Sequence, residues 1–100
     1  MDVTLLYFED CPSWRAASAH LETLAEERAG LIIRRPIVDT DQATQHHRFY
    51  GSPSIHANGH DLFADPNAPI GLSCRIYETP DGPAGSPTLK QLRHALITGT

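Results

Sequence analysis

Val3-Thr4-Leu5-Leu6-Tyr7-Phe8-Glu9-Asp10-Cys11-Pro12-Ser13-Trp14 decides how the rest of the chain is read. Val3 to Phe8 is short, nearly continuous in apolar residues, and rich in β-branched and aromatic types, which predicts a buried strand. Pro12 follows closely. Proline is favoured at a first helical position, where its missing N–H would have had no partner. From Ser13 the apolar residues Trp14, Ala17, Leu21 and Leu24 keep the spacing of a helix with one buried stripe. Gly30 is placed to end that helix in left-handed backbone. The chain therefore opens on a strand that runs into a helix, with a cysteine at the junction.

Outward from that unit, Leu31-Ile32-Ile33-Arg34-Arg35-Pro36-Ile37-Val38 predicts a second strand. Pro36 cannot donate to a ladder, so the strand belongs at a sheet edge. Thr40 or Asp41 then caps a short helix running to about Phe49. Gly51-Ser52-Pro53 breaks the chain before a third strand, Ser54-Ile55-His56-Ala57. Asn58-Gly59 is a strong turn signal. Residues 60 to 72, with Asp61, Asp65, Pro66, Asn67 and Pro69, predict a long loop, and long loops tend to be functional. Its Leu62, Phe63, Ile70 and Leu72 predict that it packs down. Ser73-Cys74-Arg75-Ile76-Tyr77 predicts the fourth strand, Thr79-Pro80-Asp81-Gly82 a turn, and Ser86-Pro87 the start of a last helix carrying Leu89, Leu92 and Leu96 on one face.

The predicted order is βαβαββα. Two strands joined through a helix pair in parallel by a right-handed crossover. Adding the hairpin gives an α/β fold with a four-stranded mixed sheet, ordered 2-1-3-4, and three helices. The chain has 100 residues, 40% hydrophobic and 20% charged, which suits one globular domain over residues 1–100. Its formal net charge of −4 repels phosphate backbones and speaks against nucleic-acid binding. No apolar run approaches the roughly 20 residues of a bilayer span. No charged segment precedes the first strand, so no secretory leader is expected and the location is read as cytoplasmic. Cys11 and Cys74 are too few for a disulfide scaffold. In a reducing compartment two cysteines read as free, redox-active or metal-binding.

The order of elements, with Cys11 directly after the first strand and Gly51-Ser52-Pro53 before the third, resembles the thioredoxin superfamily over nearly the whole chain. Cys11-Pro12-Ser13-Trp14 stands at that family's Cys-x-x-Cys position, and Ser52-Pro53-Ser54 at its Thr/Ser-cis-Pro position. The resemblance implies that Pro53 is cis and faces Cys11, and that Pro12, Trp14, Ser52 and Pro53 border the substrate, with Pro53 positioning a partner chain. The sequence departs from the pattern at Trp14, which replaces the second cysteine and removes a local dithiol.

A narrower resemblance is to small actinobacterial thioredoxin-like proteins and to the core of organomercurial (alkylmercury) lyases. There, one cysteine before a helix and one on a later strand hold mercury. Cys11 and Cys74 are similar to that pair. The lyases carry an Asp three residues after the first cysteine and an additional N-terminal domain. Here Trp14 stands at the Asp position and the extra domain is lacking, which weakens cleavage more than binding.

The residues themselves make Cys11 the leading candidate for reactivity. A helix start stabilises a thiolate through its free N–H groups and positive dipole end. Glu9 and Asp10 oppose a second negative charge. The simpler reading of Cys11 is a buried, inert side chain, and that of Trp14 is the first core residue of its helix, the alternative being a wall that shields the thiol. Cys74 is ambiguous. In the order 2-1-3-4 its strand starts at the sheet end opposite Cys11. A four-residue strand spans roughly 13 Å, and a disulfide needs Cα atoms within about 7 Å. Contact between the two cysteines requires residues 60 to 72 to double back, and the sequence leaves this open. His46 and His47 diverge on a helix, and His56 and His60 flank a turn, so a zinc site is not expected.

Three functions are carried forward. The first is thiol–disulfide chemistry on Cys11, resolved by Cys74 or an external thiol, which makes the chain a candidate oxidoreductase with a protein or small-molecule thiol as partner. The second is soft-metal or organomercurial binding, or lyase-like activity, by paired thiolates of Cys11 and Cys74. The third is a binding module that keeps the fold without catalysis. No cofactor is implied by any of them.

Overall fold

A computed structural model describes residues 1–9, 11–47, 49–63, 70–72 and 74–98. The expectations placed on Asp10, on residues 64–69 and on Ser73 lie outside the described residues, as do those on the side chains of His46 and His47.

The elements are β1 (Asp2–Leu6), α1 (Trp14–Glu27), β2 (Ile32–Arg34), α2 (Asp41–His47), β3 (Ser54–Ala57), β4 (His60–Asp61), β5 (Tyr77–Thr79), β6 (Gly82–Ala84) and α3 (Leu89–Thr98). The first four strands form one mixed sheet in the order β2-β1-β3-β4. β1 runs parallel to β2 and antiparallel to β3. The α/β class, the sheet order and the three helices agree with the sequence reading.

β1 sits in the interior of the sheet, and its burial explains its composition. Val3, Leu5 and Tyr7 join one core with Ala17, Leu21 and Leu24 of α1, Ile55 and Ala57 of β3, and Leu92 and Leu96 of α3. Leu6 joins a second core with Val38 and Phe49, against which Phe8 and Ala43 pack. A strand covered on both faces reads as a continuous apolar run. Deleting a fully buried Leu such as Leu92 costs about 2–5 kcal/mol, because the cavity adds to the lost transfer energy.

Four local expectations change. α1 starts at Trp14, with Ser13 as its cap, so Pro12 lies in the turn before it. Its C-terminal cap is Arg28, and Gly30 takes its positive φ of 85° two residues beyond. β2 stops at Arg34, and past Pro36, which interrupts the ladder, the chain meets the residue after β1 in an isolated Tyr7–Ile37 bridge. α3 is capped by Thr88: its hydroxyl accepts from Gln91 N–H at 3.1 Å, and the Gln91 amide oxygen accepts from Thr88 N–H at 2.9 Å. This reciprocal box competes better for the helix start than Ser86-Pro87.

The fourth strand is the largest correction. It is His60–Asp61, not Ser73–Tyr77. Asn58 and Gly59 both take positive φ, 52° and 86°, which closes a tight hairpin at once. Asn58 fits because its side-chain oxygen accepts from Asp2 N–H at 3.3 Å. The fourth position is thus filled before residue 73 is reached. Tyr77–Thr79 instead pairs with Gly82–Ala84 in a separate hairpin across the predicted turn. The described chain therefore has six strands, and its order is βαβαββββα.

Candidate functional site

Cys11 and Cys74 are joined in a disulfide, with Cα atoms 5.7 Å apart. No described cysteine is free. Of the readings open to the two cysteines, the structure has the joined pair. The parallel-strand objection disappears with the fourth strand. Cys74 belongs to a segment that crosses the end of the sheet where Cys11 lies, and it bridges to Ser52.

Ser52 holds both arms of the disulfide. Its hydroxyl accepts from Phe8 N–H at 3.3 Å, on the chain leading to Cys11. Its carbonyl accepts from Arg75 N–H at 2.9 Å, one residue past Cys74. The Ser52-Pro53 peptide is cis. The Tyr77 hydroxyl donates to the Pro53 carbonyl at 2.5 Å, and the Ser54 hydroxyl donates to the Gly51 carbonyl at 2.6 Å. Ser52 and Pro53 are both buried beneath residues 74–77. A partner chain reaches them only after that segment moves.

An internal ion pair fixes the segment. Arg75 Nη1 donates to Asp61 Oδ2 at 2.8 Å and to Ser54 Oγ at 3.2 Å, and Arg75 Nη2 donates to the Phe63 carbonyl. Both charged side chains are buried, at 8% and 6% exposure. The guanidinium also lies 4.7 Å from the centre of the Tyr77 ring. Burial pushes the Tyr77 phenol well above its usual value near 10, with Arg75 opposing that rise and Asp61 adding to it. Arg75, Asp61 and Tyr77 were not singled out from the sequence. Their signal was an arginine inside an apolar run, which must be paired if it is buried.

The two sulfur-bearing residues differ in exposure. Cys11 is 1% exposed, whereas Cys74 lies on the exposed side of its segment. From Cys74 to Glu78 burial alternates, so Arg75 and Tyr77 face inward and Ile76 faces out at 66%. Leu72 is 40% exposed. A cleft of about 380 Å³ is lined by Phe8, Glu9, Ile37, Asp39 and Leu72, residues that include near sequence neighbours of Cys11 and Cys74 but neither cysteine itself.

The helix start gives Cys11 less help than its position suggests. Trp14 N–H donates to Cys11 O, Arg15 N–H to Pro12 O, and Ala17 N–H to Ser13 O. These groups are already engaged and do not solvate a thiolate. Pro12 is exposed beside Cys11. Trp14 turns into the core and stacks on Tyr7 with ring centres 4.3 Å apart. It is a core residue and has no acidic proton to deliver to a carbon–mercury bond. Ser13 packs tightly against Gly85, where an added Cβ would collide with the Ser13 side chain.

Among the described residues no group of three or more His, Cys, Asp or Glu side chains could hold a metal ion, and no helix is long and apolar enough to cross a membrane. No known family, no curated protein and no solved structure matches this chain.

Proposed function

We propose that the chain is a thioredoxin-like thiol–disulfide protein whose working unit is the Cys11–Cys74 pair. The observation that carries this reading is the disulfide itself, with one of its residues buried and the other exposed. A bond with an exposed arm admits a thiol, and exchange depends on such access. The cis peptide before Pro53 and the position of Cys11 after β1 add to the likeness. Cys74 supplies the second thiol that Trp14 displaces from the local motif. The reaction moves two electrons and two protons between the pair and a thiol or disulfide of a peptide, protein or small molecule. A cytoplasmic location belongs to the same proposal.

The test is acceleration of disulfide reduction. A fluorescent disulfide peptide is mixed with dithiothreitol, with and without the protein. The proposal predicts a rate above background that vanishes in Cys74→Ser. A rate equal to background rejects it.

The same pair favours one second reading. Reduced, two thiolates on residues 5.7 Å apart at Cα can grip one soft cation between them. Mercuric ion titrated into the reduced protein then binds with one-to-one stoichiometry, and either cysteine substitution removes the tight site.

A further inference from the structure

We infer that exchange enters through Cys74 and expels Cys11, so that the covalent intermediate is carried by the strand-side cysteine rather than by the one before α1. The inference rests on the thiol–disulfide reading above and assigns each sulfur its role. A thiolate attacks a disulfide in line with the S–S bond, from the side opposite the leaving sulfur. To strike Cys11 it would have to approach through the surroundings that leave Cys11 only 1% exposed. To strike Cys74 it approaches an exposed residue flanked by exposed Leu72 and Ile76.

The protein is held ready for that direction. Arg75, directly after Cys74, is tied to Ser52 through its backbone and to Asp61 through its side chain. Cys74, the exposed residue of the pair, therefore sits on a fixed backbone while Cys11 departs. In the step, the incoming thiolate forms a new S–S bond to Cys74 and the Cys11–Cys74 bond breaks. Cys11 leaves as a thiolate and takes a proton from solvent. A second thiolate then attacks the incoming group's sulfur in the mixed disulfide. That step releases an external disulfide and the Cys74 thiolate, which is protonated in turn. Two external thiols are oxidised and the pair is reduced. In the opposite direction Cys74 attacks and Cys11 resolves.

The experiment uses the oxidised, unaltered protein. It is mixed with cysteamine for short times, and free thiols are captured with N-ethylmaleimide. Cleavage after Arg15 and Arg75 places the two cysteines on different peptides. The expected result is cysteamine on Cys74 and maleimide on Cys11, in at least roughly tenfold excess over the reverse pattern. Equal labelling, or cysteamine mainly on Cys11, overturns the inference while leaving exchange itself intact. Complete resistance of the bond to cysteamine and dithiothreitol removes the underlying reading, and the inference with it.

Discussion

Arg75 Nη1 lies 2.8 Å from Asp61 Oδ2, and through this bond the β3–β4 hairpin holds the segment that carries Cys74. Both side chains are almost fully buried; Ser54 Oγ and the Phe63 carbonyl accept from Arg75, Phe63 N–H donates to Asp61, and His56 Nε2 lies 4.0 Å from Asp61 Oδ2. Removing one partner leaves a buried charge unpaired, at a cost of about 3–5 kcal/mol. Asp61→Asn should lose at least about 3 kcal/mol in urea unfolding. Replacing both with apolar residues should recover much of it. A loss under about 1 kcal/mol in the single variant would show that the pair does not hold the segment.

Tyr77 makes stability fall at high pH. Its phenol is neutral and buried in the fold, and its folded pKa is raised above the unfolded value near 10. The stabilisation is present below the unfolded pKa and is lost as pH rises beyond it. Tyr77→Phe should cost about 1 kcal/mol at neutral pH, through the lost bond to Pro53 O. Between neutral pH and about pH 11 the variant should lose less stability than the unaltered protein. Parallel losses in the two proteins would mean that the phenol does not titrate against a buried state.

The disulfide closes a loop across 63 residues. Chain entropy assigns such a cross-link about 4 kcal/mol. Reduction should lower the unfolding midpoint in urea by a corresponding amount, and Cys11→Ser should match the reduced protein. An unchanged midpoint would contradict the chain-entropy account of this cross-link.

Charge around the bond should select among thiols. Glu9 and Asp39 line the cleft, and neither has an ion-pair partner among the described residues. Both are exposed, and their charge repels an incoming anion over a screening length set by salt. At low salt, cysteamine should reduce the bond several-fold faster than glutathione once thiolate fractions are matched, and added salt should narrow the gap. Equal rates at low salt would remove these carboxylates from substrate selection.

Much of the fold was legible because its signals are local. The continuous apolar run at Val3 to Phe8 marked a strand covered on both faces, and Ala17, Leu21 and Leu24 marked the helix beside it. Pro36 ended a strand at the edge, as its missing donor requires. What failed was competition between segments. His60-Asp61 is too short and polar to stand out, yet the Asn58-Gly59 turn delivers it to β3 before any later segment can pair. Ser73 to Tyr77 reads as a strand in the sequence, before the turn at Thr79 to Gly82. Among its described residues, however, Cys74 makes an isolated bridge to Ser52, Arg75 pairs with Asp61, and Tyr77 joins the separate β5–β6 hairpin. The disulfide depended on that displacement, so spacing along the chain could not reveal it. Cys11 stood out in the sequence by its place before a helix, while its disulfide to Cys74, its burial and the outward position of Cys74 required the packed structure.

The most direct measurement is the equilibrium of the Cys11–Cys74 pair with a thiol buffer. The folded protein is incubated at a series of reduced-to-oxidised dithiothreitol ratios, quenched with acid, and weighed by mass spectrometry after thiol blocking. Thiol–disulfide function predicts one reversible two-electron transition, reached at the same ratio from either side, with the folded structure present throughout. A bond that opens only on unfolding, or a pair that never closes, would contradict it.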